Sequence, residues 1–381
     1  MHIAFLTSEY PHQRATHAAG IATSIRNLVV SLSEKGVKVS VFVYAQKEDA
    51  IFNEDKVKIH LIKNRAYKVM GWYWHRKFIE KYLNSYIVSE GIDIVEAPDW
   101  TGITAFMHFK VPLVIRFHGS DAYFCKLDKR KQKFKNFIFE KLALKNASAY
   151  ITPTTFAGTE TQKIFGLDKR KIKTIHYGLR LKDFENETPS TYNRNNILYI
   201  GTIIRKKGVL ELAEIFNKVA KSNSEAQLIL IGNDSPDLKT GTSSTYTLVD
   251  SLFSNEAKKH VNYLGKVAYS EVIDHIKNAH VCVFPSFAET LGMVTIESMA
   301  LQKPVVNTNI GWAQELIDDT KNGFLVHPSN IDLYAQRILE LLKDEALSEK
   351  VGIAAREKVE ALFDIDKIAD INIKYYKSII E

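Results

Sequence analysis

The sequence predicts an α/β protein built from two doubly wound, Rossmann-like domains, and three observations carry that prediction. Short β-branched runs alternate with stretches of helical spacing, the alternation occurs twice, and a polar, turn-rich segment, ENETPSTYNRNN, separates the two rounds. A chain of 381 residues with 45% apolar content is long enough for two ordinary cores.

In the first round the strands read HIAFLTS, VKVSVFVY, VKIHLI, DIVEA, PLVIRF, AYITP and KIKTI, with helical spacing between them, as in IATSIRNLVVSLSEKG. The second round restarts at NILYIGT and continues through QLILIGN, VNYLGK, HVCVFPS, PVVNTN and GFLVHP. Such alternation predicts parallel sheets covered on both faces, with ligands at the carboxyl ends of the strands in a cleft between the domains. The domains are expected over 1–187 and 188–362, with FDIDKIADINIKYYKSIIE (363–381) a terminal helix that crosses back to the first. Asp364 and Asp366 read as the start of that helix, not as a metal site. The stretch NDSPDLKTGTSSTY reads as a flexible loop with no role.

No run of about eighteen apolar residues occurs, which excludes a transmembrane helix. The chain begins MHIAFLTSEY, straight into a strand with no cationic and apolar leader, so a cytoplasmic protein is expected, at the inner face of the cell membrane if it meets lipid. Cys125 and Cys282 make no disulfide framework. The net charge of +7 is unevenly spread. Residues 126–145 carry eight lysines and arginines against Asp128 and Glu140, and read as a basic amphipathic helix; residues 72–78 set Trp72, Tyr73 and Trp74 beside His75, Arg76 and Lys77. Two readings stand for both segments: an anionic membrane surface as partner, or solvated helix faces. Nucleic acid is not expected, because no recognition helix, zinc spacing or RNA-binding aromatic signature accompanies the charge.

PSFAETLGMVTIESMA holds the chemistry-bearing pair, Glu289 and Glu297. A strand, HVCVFPS, leads through a loop to a helix expected to start near Gly292 or Met293. Backbone N–H groups and the positive dipole end at such a helix start stabilise an anion. Glu297, a turn inside, suits a pair of vicinal hydroxyls. Cations for a phosphate are supplied by Arg205, Lys206 and Lys207 in YIGTIIRKKG.

These residues resemble the E-x7-E signature of retaining glycosyltransferases of family 4, on the GT-B fold. VNYLGKVAYSEVIDHIKNAHVCVFPS, ALQKPVVNTNIGWAQELIDDTKNGFLVHP, HAAGIATSIRNLVVSLSEKG, RFHGSD and TPTTFAGTETQKIFGLDKRKIKTIHYGLRLKDF are similar to the family's other segments, in family order and over nearly the whole chain. The resemblance implies a sugar moved from a UDP- or GDP-type nucleotide-sugar to a hydroxyl acceptor, with retention, by a front-face route without metal or other cofactor; the basic first domain with its aromatics suits a lipid-linked saccharide or growing surface polysaccharide as that acceptor, a soluble sugar being the alternative. It gives Glu289 the donor sugar, Glu297 the ribose hydroxyls, and Gly292, Met293 and Val294 the amides that meet the diphosphate. Arg205 and Lys207 take the diphosphate charge, Gly265, Lys266 and Val267 the base, His118 the transferred sugar, and Gly20 lies in the loop that approaches the donor phosphate or the acceptor. Asp99, Trp100 and Asp121 are acceptor candidates. The chain departs from the family at Gly201-Thr202, where a Gly-Arg is common, at Ala19-Gly20 and Ala22 in the glycine loop, and at Tyr177-Gly178, where Asn-Gly is usual. The alternatives are a non-catalytic nucleotide-sugar or membrane-binding regulator, and a sugar-nucleotide epimerase; a phosphorylase would need a pyridoxal lysine that nothing marks.

Overall fold

A computed structural model describes residues 1–16 and 20–381. Two compact units divide the chain, one of Met1–Arg180 with Phe363–Glu381, the other of Leu181–Leu362. The second therefore begins ahead of the expected boundary near 187, and Asn186 is held in it by donating to the Leu301 carbonyl at 3.0 Å.

The first unit contains β1 (His2–Thr7), α1 (Gly20–Glu34), β2 (Lys38–Gln46), β3 (Ala50–Glu54), β4 (Val57–Lys63), α2 (Gly71–Glu90), β5 (Ile94–Pro98), β6 (Leu113–Arg116), α3 (Asp121–Leu127), α4 (Phe134–Lys145), β7 (Ala149–Thr152), α5 (Thr155–Phe165) and β8 (Ile172–Thr174). Its sheet runs β3-β4-β2-β1-β5-β6-β7-β8, parallel except for β3 against β4. Ile3 and Phe5 enter one core layer and Ala4 and Leu6 the other, as the two-residue period of a strand buried on both faces demands. β3 escapes the sequence reading because it is an edge strand with two of its five residues exposed and none fully buried. The expected single helix over 126–145 is instead the end of α3, a turn with Lys129 in the left-handed region at φ 52°, and α4.

The second unit contains β9 (Asn196–Ile200), α6 (Val209–Ser222), β10 (Gln227–Ile231), α7 (Thr245–Leu252), α8 (Asn255–Lys258), β11 (Val261–Gly265), α9 (Tyr269–Asn278), β12 (Val281–Phe284), α10 (Met293–Ala300), β13 (Val305–Asn307), α11 (Ala313–Leu316), β14 (Phe324–Leu325), α12 (Ile331–Lys343) and α13 (Glu345–Leu362). Its all-parallel sheet runs β11-β10-β9-β12-β13-β14. Helix α6 shows why the elements pack as they do: Val209, Leu212, Ala213, Phe216 and Val219 recur at helical spacing and all are buried against the sheet.

The last helix, α14 (Ile365–Ile380), belongs to the first unit and lies on α1. Asp364 caps it by accepting from the Asp366 amide at 3.0 Å, which is how that Asp-x-Asp is used. Both units are α/β layers around parallel sheets, the fold class read from the sequence. No helix among the described residues is long and apolar enough to cross a membrane.

Candidate functional site

In the second unit, β9 and β12 are neighbours, and the chain leaves them for opposite sides of the sheet. At such a switch point the carboxyl ends of the strands open a crevice. The turn after β9 carries Arg205, Lys206 and Lys207 and ends at Gly208, whose φ of 70° and closeness to the Pro285 carbonyl exclude a side chain: an added Cβ would sit 1.9 Å from that oxygen. The Phe287 amide donates to the Lys206 carbonyl at 2.8 Å. These two contacts press the cationic turn against the loop after β12.

Lys207 consequently donates directly to Oε1 of Glu289, both side chains being largely buried. Burial, with the Lys206 ammonium beside it, pulls Lys207 down from the usual lysine range to about 7. Gly292, at φ 95°, caps α10, so the amides of Met293 and Val294 lie in the first turn, where no intrahelical acceptor exists. Lys207, Glu289, Gly292, Thr295, Asn307 and Trp312 line one small pocket.

Glu297 is buried in α10, and its Oε1 accepts from the Tyr269 hydroxyl at 2.9 Å. Burial pushes this carboxyl up to about 7, opposed by the phenol bond. Tyr269 opens α9, immediately after the turn of Gly265, Lys266 and Val267; Gly265 lies at φ 66° and Lys266 is exposed. Nothing in the sequence marks Tyr269 beyond its place after that turn.

Arg205 does not face the site as an unengaged cation. Its Nε and Nη2 donate to the two oxygens of Asp237 at 3.0 and 2.8 Å, and Asp237 also accepts from the amide and hydroxyl of Thr240 at 3.0 and 2.7 Å. Those bonds, the arginine first, hold the Asp237 carboxyl well below its usual range. The segment NDSPDLKTGTSSTY, expected to be flexible and without a role, is thus tied by its aspartate to the cationic turn.

In the first unit, His118 follows β6. Its amide donates to Oδ1 of Asp99 at 2.8 Å, and the amides of Gly119 and Ser120 also favour that carboxylate, whereas burial, with a smaller contribution from Glu140, pushes it up to about 7. Asp99 Oδ2 is buried without a partner among the described residues. Asp99 therefore organises the His118 loop from below. The imidazole Nδ1 lies 2.7 Å from the Tyr177 hydroxyl, with the two rings stacked at 5.5 Å. Burial, then the Arg116 guanidinium, lowers His118 to about 3, so the ring is neutral. Arg116 forks onto buried Glu96 at 2.7 and 3.0 Å and donates to Asn372 and Tyr376 of α14. Asp121 accepts from Arg130 at 2.9 Å and Asn136 at 3.2 Å, and Trp100 is exposed. Gly20 opens α1; residues 17–19, with Ala19 of the glycine loop, lie outside the described residues.

Residues 18–183 match the family described as glycosyltransferase family 4, and residues 182–358 match glycosyl transferases group 1. The chain is 26% identical over 348 residues to an uncharacterized glycosyltransferase of Methanocaldococcus jannaschii, covering 90% of each. It is 29% identical over 229 residues to the capsular polysaccharide biosynthesis glycosyltransferase CapM of Staphylococcus aureus, covering 59% of this chain and 54% of that protein. The crystal structure of Anabaena HepE in complex with UDP superposes with a TM-score of 0.76 at 17% identity, over 99% of this chain and 100% of that one. Two adjoining family matches, on two units with this parallel-sheet topology, make the chain a glycosyltransferase of the GT-B type.

Proposed function

We propose that the protein is a retaining hexosyltransferase that takes a sugar from a nucleotide diphosphate-sugar and gives it to a hydroxyl of a lipid-linked saccharide or growing surface polysaccharide. The observation that carries the donor half is the Lys207–Glu289 contact at the N-terminus of α10, with Glu297 a turn further on. A cation, the amides of a helix's first turn and a hydroxyl acceptor are thereby gathered at the start of one helix, which suits diphosphate and ribose. The UDP complex of HepE supports a uridine donor, and the place of CapM in capsular polysaccharide biosynthesis supports a polysaccharide acceptor.

On this reading Glu289 exchanges its bond to Lys207 for hydroxyls of the donor sugar, and Lys207 turns to the diphosphate. Glu297 holds the ribose, and residues 265–267 pass along the base. His118, a neutral donor or acceptor, steadies the transferred sugar; Asp99 acts through the His118 loop. The bond from the anomeric carbon to the β-phosphate oxygen breaks, the acceptor oxygen bonds to the same face, and the acceptor proton passes to the departing diphosphate. Lys207 and the helix amides carry the charge that develops, the preorganised electrostatic contribution that is usually largest. No metal is needed on this route. Purified protein incubated with a panel of UDP- and GDP-sugars should release nucleotide diphosphate, and Glu289→Gln should lose that release. Binding without turnover in the parent chain would favour a regulator instead, and loss of activity with chelator would remove the metal-free route.

A further inference from the structure

We infer that the first unit carries a docking surface for an anionic bilayer, formed where the start of α2 meets α4. Arg76 ties the two together: it donates to the Trp72 carbonyl at 2.9 Å and lies 4.7 Å over the Phe139 ring. Trp72 packs on Phe139 at 4.8 Å and on Phe106 at 5.6 Å, and the Lys135 ammonium sits 5.3 Å above the Trp72 ring. The aromatics expected to face a headgroup boundary thus divide. Trp72 is half-buried, while Val69 (71% exposed), Met70 (49%) and Trp74 (51%) at the start of α2, and Phe134 (79%) at the start of α4, project to solvent.

Four large apolar side chains held out in water are costly unless something covers them. The accompanying charge says what that is. Lys68, Lys129, Lys131, Lys133 and Lys135 are exposed in the same segments, and the acids Asp121, at the start of α3, and Asp128, in the turn after it, are engaged by Arg130. Apolar tips with lysines in the same segments fit the interface of a bilayer with anionic headgroups, where the tips enter the acyl boundary and the lysines meet phosphate. A nucleic acid would use the lysines and leave Val69, Met70 and Phe134 in water. No helix among the described residues can cross a membrane, so contact of this kind is peripheral. The inference rests on the acceptor reading above only for its use, since lipid binding is measured without turnover.

The test is sedimentation of the full chain with vesicles of phosphatidylcholine alone, or with one-third phosphatidylglycerol, at low and at high salt. The expected result is binding to the anionic vesicles only, weakened about tenfold or more by high salt. Lys131→Glu with Lys133→Glu, and separately Val69→Ser with Trp74→Ser, should each lower partitioning about tenfold or more. Both variants should keep the parent's thermal midpoint and donor hydrolysis. Failure of the parent to bind anionic vesicles overturns the inference, as does binding that the Val69/Trp74 variant leaves intact, the sign of a mere polyanion surface. A parent that hydrolyses donor but ignores vesicles loses only this inference; one that binds vesicles but hydrolyses no donor loses only the transferase reading.

Discussion

The Tyr177 hydroxyl stands 2.7 Å from Nδ1 of His118, so the position at which this chain departs from the family's usual Asn-Gly supplies the partner of the histidine proposed to steady the sugar. The phenol also reaches the Phe117 carbonyl at 3.3 Å. A hydroxyl between a carbonyl and an imidazole nitrogen fixes which ring nitrogen carries the proton.

Tyr177→Phe keeps the stacked ring and removes that selection. We expect kcat to fall about tenfold with donor KM nearly unchanged, because orientation of the imidazole matters in the transition state more than in donor binding. Steady-state kinetics on the variant check this. A change confined to KM would place Tyr177 in donor binding instead.

Donor affinity should depend on pH through Glu297, held up to about 7 by burial. Only the ionised carboxylate accepts from both ribose hydroxyls, so the Glu297 contribution to UDP binding should strengthen as pH rises through about 7, against an opposing loss as the Lys207 ammonium deprotonates over the same range. Stability runs the other way. A folded pKa above the unfolded carboxyl value gives a contribution fully present below the unfolded value and lost as pH rises through about 7. Calorimetric titration of UDP between pH 5 and 9 is the measurement, and Glu297→Gln should weaken binding and remove the rising limb, leaving the fall due to Lys207. Tyr269→Phe should raise the carboxyl's tendency to stay protonated, since the phenol favours the charged form, and move the midpoint upward.

Asp237 competes with any diphosphate for Arg205. Asp237→Asn keeps an acceptor for Thr240 while releasing the guanidinium's charge, and should tighten UDP binding by about three- to tenfold, the worth of one partly exposed charge pair. Isothermal titration would show it. Unchanged or weaker binding would mean that Asp237 holds Arg205 in the geometry the donor needs.

Gly208→Ala should destabilise the second unit by about 3 kcal/mol or more, because the left-handed φ and the overlap with the Pro285 carbonyl add. Chemical denaturation read by tryptophan fluorescence checks the loss. A cost below about 1 kcal/mol would show that the turn can move away from the strand β12 loop.

Much of the architecture was legible because parallel strands buried on both faces read as unbroken apolar runs, as in VCVF of β12 and NILYI of β9. β3 was not, since an edge strand with alternating exposure lacks that run. At the candidate site, the glutamates and the cationic turn stand out by spacing and by their place after strands. Their partners do not. Tyr269 and Glu297 are 28 residues apart, Arg205 and Asp237 are 32, and His118 and Tyr177 are 59. Tyr269 and Asp237 are ordinary residues in their own segments, and Tyr177 is marked only as a departure from the family's pattern.

The sequence by itself determined the two α/β units, most of their strands in order, and that Glu289, Glu297 and Lys207 follow strands, because hydrophobic period and turn chemistry are local properties; His118 was singled out by the resemblance. Tertiary structure alone decided who engages whom: Lys207 with Glu289, Asp237 with Arg205, Asp99 beneath the His118 loop. Those pairings follow from how loops at the ends of non-adjacent strands are brought together by sheet order, and burial then sets their protonation; neither is written in any one segment.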